Sequence, residues 1–125
     1  MTSPDLIFMV DKDEEYTNNV RNSLASKSFK NVVSFIDETE CLKNMSRGPK
    51  IVITDSHLKC LSGLQLIKKA RLIYPDFFSI LLSKDFQEGS FKIYDERFLQ
   101  YVDKYIIKGM DDMEEIIETV TYNIA

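Results

Sequence analysis

Four apolar runs in this 125-residue chain end on side chains that can hold and transfer a phosphoryl group. Leu6-Ile7-Phe8-Met9-Val10 runs into Asp11-Lys12-Asp13, and Ile51-Val52-Ile53-Thr54 into Asp55. Phe77 to Ser83 is followed by Lys84, and Tyr105-Ile106-Ile107 by Lys108-Gly109. A carboxylate can act as a nucleophile and form an aspartyl-phosphate. Neighbouring carboxylates can hold Mg²⁺, a hard ion that wants oxygen ligands. An ammonium offsets charge on the phosphoryl oxygens and a hydroxyl can hydrogen-bond one of them. Each residue also has an ordinary role alone. Asp13 suits a helix cap, as does Asp37 after the remaining strand. An Asp after a strand suits a turn, Ser83 a strand-end hydroxyl, Lys108 a solvated charge and the single His57 a loop. Their convergence is what carries the chemistry.

Convergence requires a particular scaffold. Continuous apolar runs of strand length suit strands buried on both faces of a parallel sheet. Leu6–Val10 is such a run, and four more strand candidates follow it: Val32–Ile36, Ile51–Thr54, Phe77–Ser83 and Tyr105–Ile107. Helical patterns alternate with them. Asp13-Glu14-Glu15 caps and charges the start of a helix whose stripe is Tyr16, Val20 and Leu24. Asp37-Glu38-Thr39-Glu40 and Ser62-Gly63-Leu64-Gln65 resemble capping boxes. The first precedes Cys41, Leu42 and Met45 and a Gly48-Pro49 stop. The second precedes Leu66, Ile67, Ala70, Ile73 and Tyr74, and Pro75 closes that helix. A fourth helix is expected over Ser90–Gln100. Asp112 caps the last, whose Met113, Ile116, Ile117, Val120 and Ile124 form one apolar face. Strands alternating with helices give an α/β sheet covered on both faces, and such sheets carry their sites at the carboxyl ends of the strands.

Composition bounds the rest. One ordinary domain accounts for the length, with residues 1–125 as that domain and a core from about 6 to 124. The chain carries 16 basic and 20 acidic residues, a formal charge of −4, which is no profile for a nucleic-acid module. The first apolar run is too short for a signal peptide or a membrane span, so a cytoplasmic location and no membrane partner are expected. Cys41 and Cys60 lack metal-site spacing and read as free thiols, at least one buried; a sharper reading makes Cys60 a redox switch. No Gly-rich loop follows the first strand, and its acidic turn would repel the phosphate of FMN or a dinucleotide.

From Leu6 to Ile124 the chain resembles the receiver domain of two-component response regulators. Leu6 to Asp11 looks like the family's first strand and first acid. The segment from Ile51 to Gly63 looks like the phosphoacceptor region, with Asp55 eight residues before Gly63. Ile80-Leu81-Leu82-Ser83 looks like the strand ending in the hydroxyl switch. Tyr105-Ile106-Ile107-Lys108 looks like the aromatic switch, the last strand and the family lysine. The resemblance implies a doubly wound, flavodoxin-like (βα)5 fold with a five-stranded parallel sheet. It implies that Asp55 accepts a phosphoryl group from a phosphohistidine on a histidine kinase or phosphotransfer protein. Ser83 and Lys108 would hold its oxygens. Tyr105 would turn with Ser83 and reshape the surface of the fourth helix, fifth strand and fifth helix for a downstream protein. On this reading the chain is no enzyme beyond its own phosphorylation and dephosphorylation.

The chain also departs from the family. Lys12 stands where a second acid is usual, which reduces the metal set to Asp11 and Asp55, with Asp13 as a further candidate. Mg²⁺ affinity follows ligand charge, so weakened metal dependence is expected. Lys12 could instead pair with Asp55. Lys59 and Gly109 stand where prolines are usual, and Gly109 gives mobility to the Lys108 loop. Two other functions compete. One is a phosphorylation-independent pseudo-receiver that only binds protein. The other is a haloacid-dehalogenase-type phosphatase built on Asp11-Lys12-Asp13. It lacks the Thr soon after the second acid and leaves Asp55 and Gly63 unexplained.

Overall fold

The computed structural model describes residues 5–84, 100–109 and 111–124. Five strands form one parallel sheet: β1 (Ile7–Val10), β2 (Val32–Phe35), β3 (Ile51–Asp55), β4 (Phe78–Ser83) and β5 (Lys104–Ile107), in the order β2-β1-β3-β4-β5. The order reverses at β1, so the chain is doubly wound, as expected. The strands β1, β3 and β4 are buried almost throughout. That is why they read as unbroken apolar runs rather than alternating ones. Helices cover both faces: α1 (Glu14–Ala25), α2 (Glu38–Lys43), α3 (Gly63–Ile73) and the last helix, α4 (Asp112–Ile124). The expected helix over Ser90–Gln100 falls almost wholly outside the described residues. No helix among the described residues is long and apolar enough to cross a membrane.

Strand periodicity splits the core in two. Ile7, Met9, Ile51, Ile53, Ile80, Leu82 and Ile106 face α1 and α4, whose Val20, Leu24, Ile116 and Val120 are buried against them. Phe8, Val10, Val52 and Leu81 face α2 and α3 with Cys41, Leu66, Ile67 and Ala70. Cys41 is buried and its thiol is pushed up to about 12 by that burial, while Cys60 is exposed. The helix starts follow from their caps. Asp13 accepts the Tyr16 N–H at 3.1 Å and Asp37 that of Thr39 at 2.7 Å. Ser62 and Gln65 form the full reciprocal box. Gly48, at φ +73°, closes the short 3-10 turn Met45–Arg47 in a conformation that favours glycine. Asp112 is the first residue of α4 rather than the residue before it, and Asp111 takes φ +63° ahead of it.

Candidate functional site

The alternation that builds the core also builds the site. Asp11 extends the Ile7, Met9 row of β1, Asp55 the Ile51, Ile53 row of β3, and Lys108 follows Ile106 at the same spacing of two. All three therefore leave the carboxyl edge of the sheet on the side of α1 and α4. The Lys108 ammonium lies 2.8 Å from Asp11 Oδ2 and 3.0 Å from Asp55 Oδ1. The side chains of Asp11 and Asp55 are 1% and 4% exposed, so both charges are held out of water and need that cation. Lys108 donates a directed hydrogen bond to Asp11. Its contact with Asp55 Oδ1 is an ion pair without hydrogen-bond alignment, which leaves that buried oxygen the least engaged in the pocket. The other oxygens are occupied: Asp11 Oδ1 accepts the Asp13 N–H at 2.9 Å and Asp55 Oδ2 the His57 N–H at 3.3 Å.

Burial pushes the Asp11 carboxyl above its ordinary range, against the pull of Lys108. Burial would lower the Lys108 ammonium, but Asp11 and Asp55 together hold it above its ordinary value. Tyr16 lies over the same ammonium, 4.3 Å from ring centroid to Nζ, and donates its hydroxyl to Asp112 Oδ2 at 2.7 Å. A desolvated cation over an aromatic face is worth about 2 kcal/mol. Burial and the Asp112 carboxylate both push the Tyr16 hydroxyl up, so it stays a donor. A cleft of about 610 Å³ runs beside this assembly, walled by Tyr16, Asn19, Lys84, Lys108, Gly109 and Asp112.

The spacing of Asp55 and Gly63 has a steric cause. A Cβ on Gly63 would lie 2.3 Å from the Asp55 carbonyl oxygen and 2.6 Å from Leu81 Cδ1. The first turn of α3 thus packs directly on the backbone of Asp55, and the Gly63 N–H bonds the Ser56 carbonyl at 2.9 Å.

The remaining expected residues fall at different distances from this centre. Ser83 is fully buried at the end of β4, and its carbonyl accepts the Lys108 N–H at 2.7 Å. Tyr105 pairs with Leu81 across the ladder, half-buried against the core on the α2–α3 side of the sheet. Asp13 caps α1. Lys12 is exposed and makes no ion pair among the described residues, so the alternative pairing with Asp55 is not formed; Lys108 takes that place. Gly109 has φ +123°, a value closed to proline, so the loop after Lys108 differs in backbone and not only in side chain. Among the described residues no three acids, His or Cys gather as a metal cluster. Sequence reasoning missed two residues. Tyr16 read as helix stripe and Asp112 as a cap, and only the packing of α1 against α4 brings them to Lys108.

No protein-family model and no curated protein matches the sequence. Solved structures do. A response regulator receiver domain protein (CheY-like) from Methanospirillum hungatei JF-1 is 19% identical, with a TM-score of 0.78 over 96% of this chain and 93% of that one. The response regulator TrrA from Thermotoga maritima, solved in complex with Mg²⁺ and BeF, is 22% identical, with a TM-score of 0.80 over 96% and 99%. The phosphorylated cyanobacterial phytochrome response regulator RcpA is 16% identical, with a TM-score of 0.77 over 98% and 96%. The chain has the receiver-domain fold. Shared fold at this identity leaves the activity to be argued from the site.

Proposed function

We propose that this chain is a signalling receiver in which Asp55 accepts a phosphoryl group from a phosphohistidine on a partner kinase or phosphotransfer protein. The observation that carries the reading is the Asp11–Lys108–Asp55 assembly at the carboxyl edge of the sheet. Asp55 Oδ1 is buried, accepts no directed hydrogen bond and faces an ammonium. Attack by this oxygen on the phosphorus forms the acyl-phosphate bond as the phosphorus–nitrogen bond to the donor imidazole breaks. Lys108 moves with the new charge and holds a phosphoryl oxygen, and Ser83 supplies its hydroxyl to another. Ser83 and Tyr105 stand on adjacent strands, so a shift at one reshapes the surface around β5 and α4 for a downstream protein. In the chain as it stands this is a stoichiometric event, not turnover.

Asp11 and Asp55 converge on one cation, which fits a divalent ion that keeps most of its waters. These two residues would hold Mg²⁺, which would neutralise charge on the phosphoryl oxygens. With Lys12 in place of an acid, and Asp13 engaged as a cap, the pocket offers it two carboxylates. Metal dependence is therefore weaker than three carboxylates would give.

Acetyl phosphate with and without Mg²⁺, followed by intact mass, tests the reading. A single phosphoryl adduct is expected in wild type and none in Asp55→Asn. Lys12→Asp is expected to raise the response to Mg²⁺. An unmodified wild type alongside an unmodified Lys12→Asp sinks the phosphoacceptor role. The second reading is then a pseudo-receiver that binds its partner without phosphorylation, favoured by an ammonium that already spans both carboxylates. The phosphatase reading gains no support, since the second acid it needs, Asp13, caps α1.

A further inference from the structure

Glu38 opens α2 and is 1% exposed, yet it joins no ion pair among the described residues. A carboxylate so deeply buried needs donors. Backbone supplies them: Glu38 Oε1 accepts the N–H groups of Cys60 and Leu61, the latter at 3.0 Å. Burial pushes this carboxyl up, but its own N–H and those of Cys60 and Leu61 outweigh it and hold the group below its ordinary value. The two donors lie in the loop between β3 and α3, more than twenty residues away in sequence. Both ends of that loop touch Asp55. The His57 N–H bonds Asp55 Oδ2 at one end, and Gly63 packs on the Asp55 carbonyl at the other. Between them, the Leu58 N–H bonds the Leu61 carbonyl at 3.2 Å.

We propose that Glu38 is a positioning residue for Asp55: its buried carboxylate clamps residues 60–61 to α2 and so keeps the His57 N–H closed on the Asp55 side chain. The inference rests on the reading of Asp55 as the phosphoacceptor and adds a residue of another helix to its control. The loop contains Lys59 and the exposed Cys60, its Leu58 is buried in the core, and a bridge of His57 to Ser62 closes its base. Glu38 Oε2 accepts no hydrogen bond, so an amide in its place keeps the clamp through Oε1 while removing the charge. The thiol of Cys60 reports that charge. Its hydrogen bond to the Glu38 carboxylate and the negative charge there push the thiol up, which disfavours the thiolate a redox switch needs.

The experiment compares wild type, Glu38→Gln and Glu38→Ala in the full chain. Amide hydrogen exchange is read at His57, Cys60 and Leu61, with the rate of Cys60 alkylation by iodoacetamide and the rate of Asp55 labelling by acetyl phosphate. In Glu38→Ala, exchange is expected to quicken at least about tenfold at Cys60 and Leu61, and also at His57. Labelling is expected to slow by a similar factor. Glu38→Gln restores most of the protection and the labelling, but alkylates Cys60 faster than wild type because the charge is gone. Unchanged exchange at His57 in Glu38→Ala overturns the proposal. If neither wild type nor Lys12→Asp takes a label, the phosphoacceptor reading fails on its own, and His57 exchange still decides the clamp. Should Glu38→Ala not fold, Glu38→Asp, whose side chain is one methylene too short to hold both N–H groups, takes its place with the same His57 readout and the same overturning result.

Discussion

Replacing Gly63 by Ala pits two effects of opposite sign against each other. Gly63 is the first residue of α3, and its φ is not in the left-handed region. Ordinary helix propensity therefore favours Ala by up to about 1 kcal/mol. Against it stands the packing. The new Cβ would lie 2.3 Å from the Asp55 carbonyl oxygen, where ordinary contact begins near 3.4 Å, so the helix start and the end of β3 must part by roughly 1 Å. Leu81 Cδ1, at 2.6 Å, can turn aside, but a backbone carbonyl in the middle of a sheet cannot. Overpacking of this kind costs about 1–3 kcal/mol, and a backbone clash belongs at the upper end. The net expectation is a loss of about 2 kcal/mol. For a domain of this length that lowers Tm by roughly 8 °C. Thermal and urea unfolding measure it directly. Labelling of Asp55 at a temperature where both proteins are folded is expected to fall further, since a displaced nucleophile loses its alignment by up to about 10²-fold. A Tm equal to or above that of wild type refutes the reasoning, because it would mean that Gly63 is an ordinary helix glycine and does not set the place of Asp55.

Two further outcomes follow from the buried charges. Lys108→Met leaves Asp11 and Asp55 facing each other without a cation and is expected to cost about 3–5 kcal/mol in urea unfolding at neutral pH, with Asp11→Asn in the same chain returning much of it; an unaffected Lys108→Met would show that the ion pair does not hold the pocket. Glu38 supplies a pH signature. Its folded-state pKa lies below the ordinary 4.5, so its stabilisation is full above that value and is lost as the pH falls through the folded one. The stability gap between wild type and Glu38→Gln is therefore expected to be largest near neutrality and to close at low pH; a gap that stays constant across the acid limb contradicts a stabilising charge on Glu38.

The sheet was legible because its central strands β1, β3 and β4 are buried on both faces and so appear as apolar runs. The site was legible for the same reason. Once the strands are parallel, their ends share an edge, and a period of two puts Asp11, Asp55 and Lys108 on one side of it. What escaped the sequence is what depends on helices meeting. Tyr16 satisfies a helical stripe whether or not its hydroxyl reaches Asp112, 96 positions away. Glu38 is indistinguishable from any acid in a first turn until α2 is laid beside the β3–α3 loop. Gly109 looked like simple mobility, whereas its φ of +123° fixes a backbone path that proline could not follow. Local spacing identifies groups that the strands themselves place, and it is silent on groups placed by a partner distant in sequence.

Lys12 touches neither carboxylate, yet under the proposed phosphorylation its charge would bear on the pocket. Asp11, Asp55 and Lys108 together carry a formal charge of −1, and Lys108 divides itself between the two acids at 2.8 and 3.0 Å. A phosphoryl group on Asp55 adds negative charge there and draws the ammonium to it. Asp11, 1% exposed, would then keep its hydrogen bond from the Asp13 N–H but lose its cation. Leaving a buried carboxylate so exposed in energy costs several kcal/mol, so some cation must take the place of Lys108 beside Asp11. A second acid at position 12 would strengthen the claim of a divalent ion to that place. Lys12, exposed and next in sequence to Asp11, repels one instead. The contrast between wild type and Lys12→Asp thus measures which cation follows Lys108. A labelling rate that rises with Mg²⁺ only in Lys12→Asp means that wild type completes the exchange without the metal.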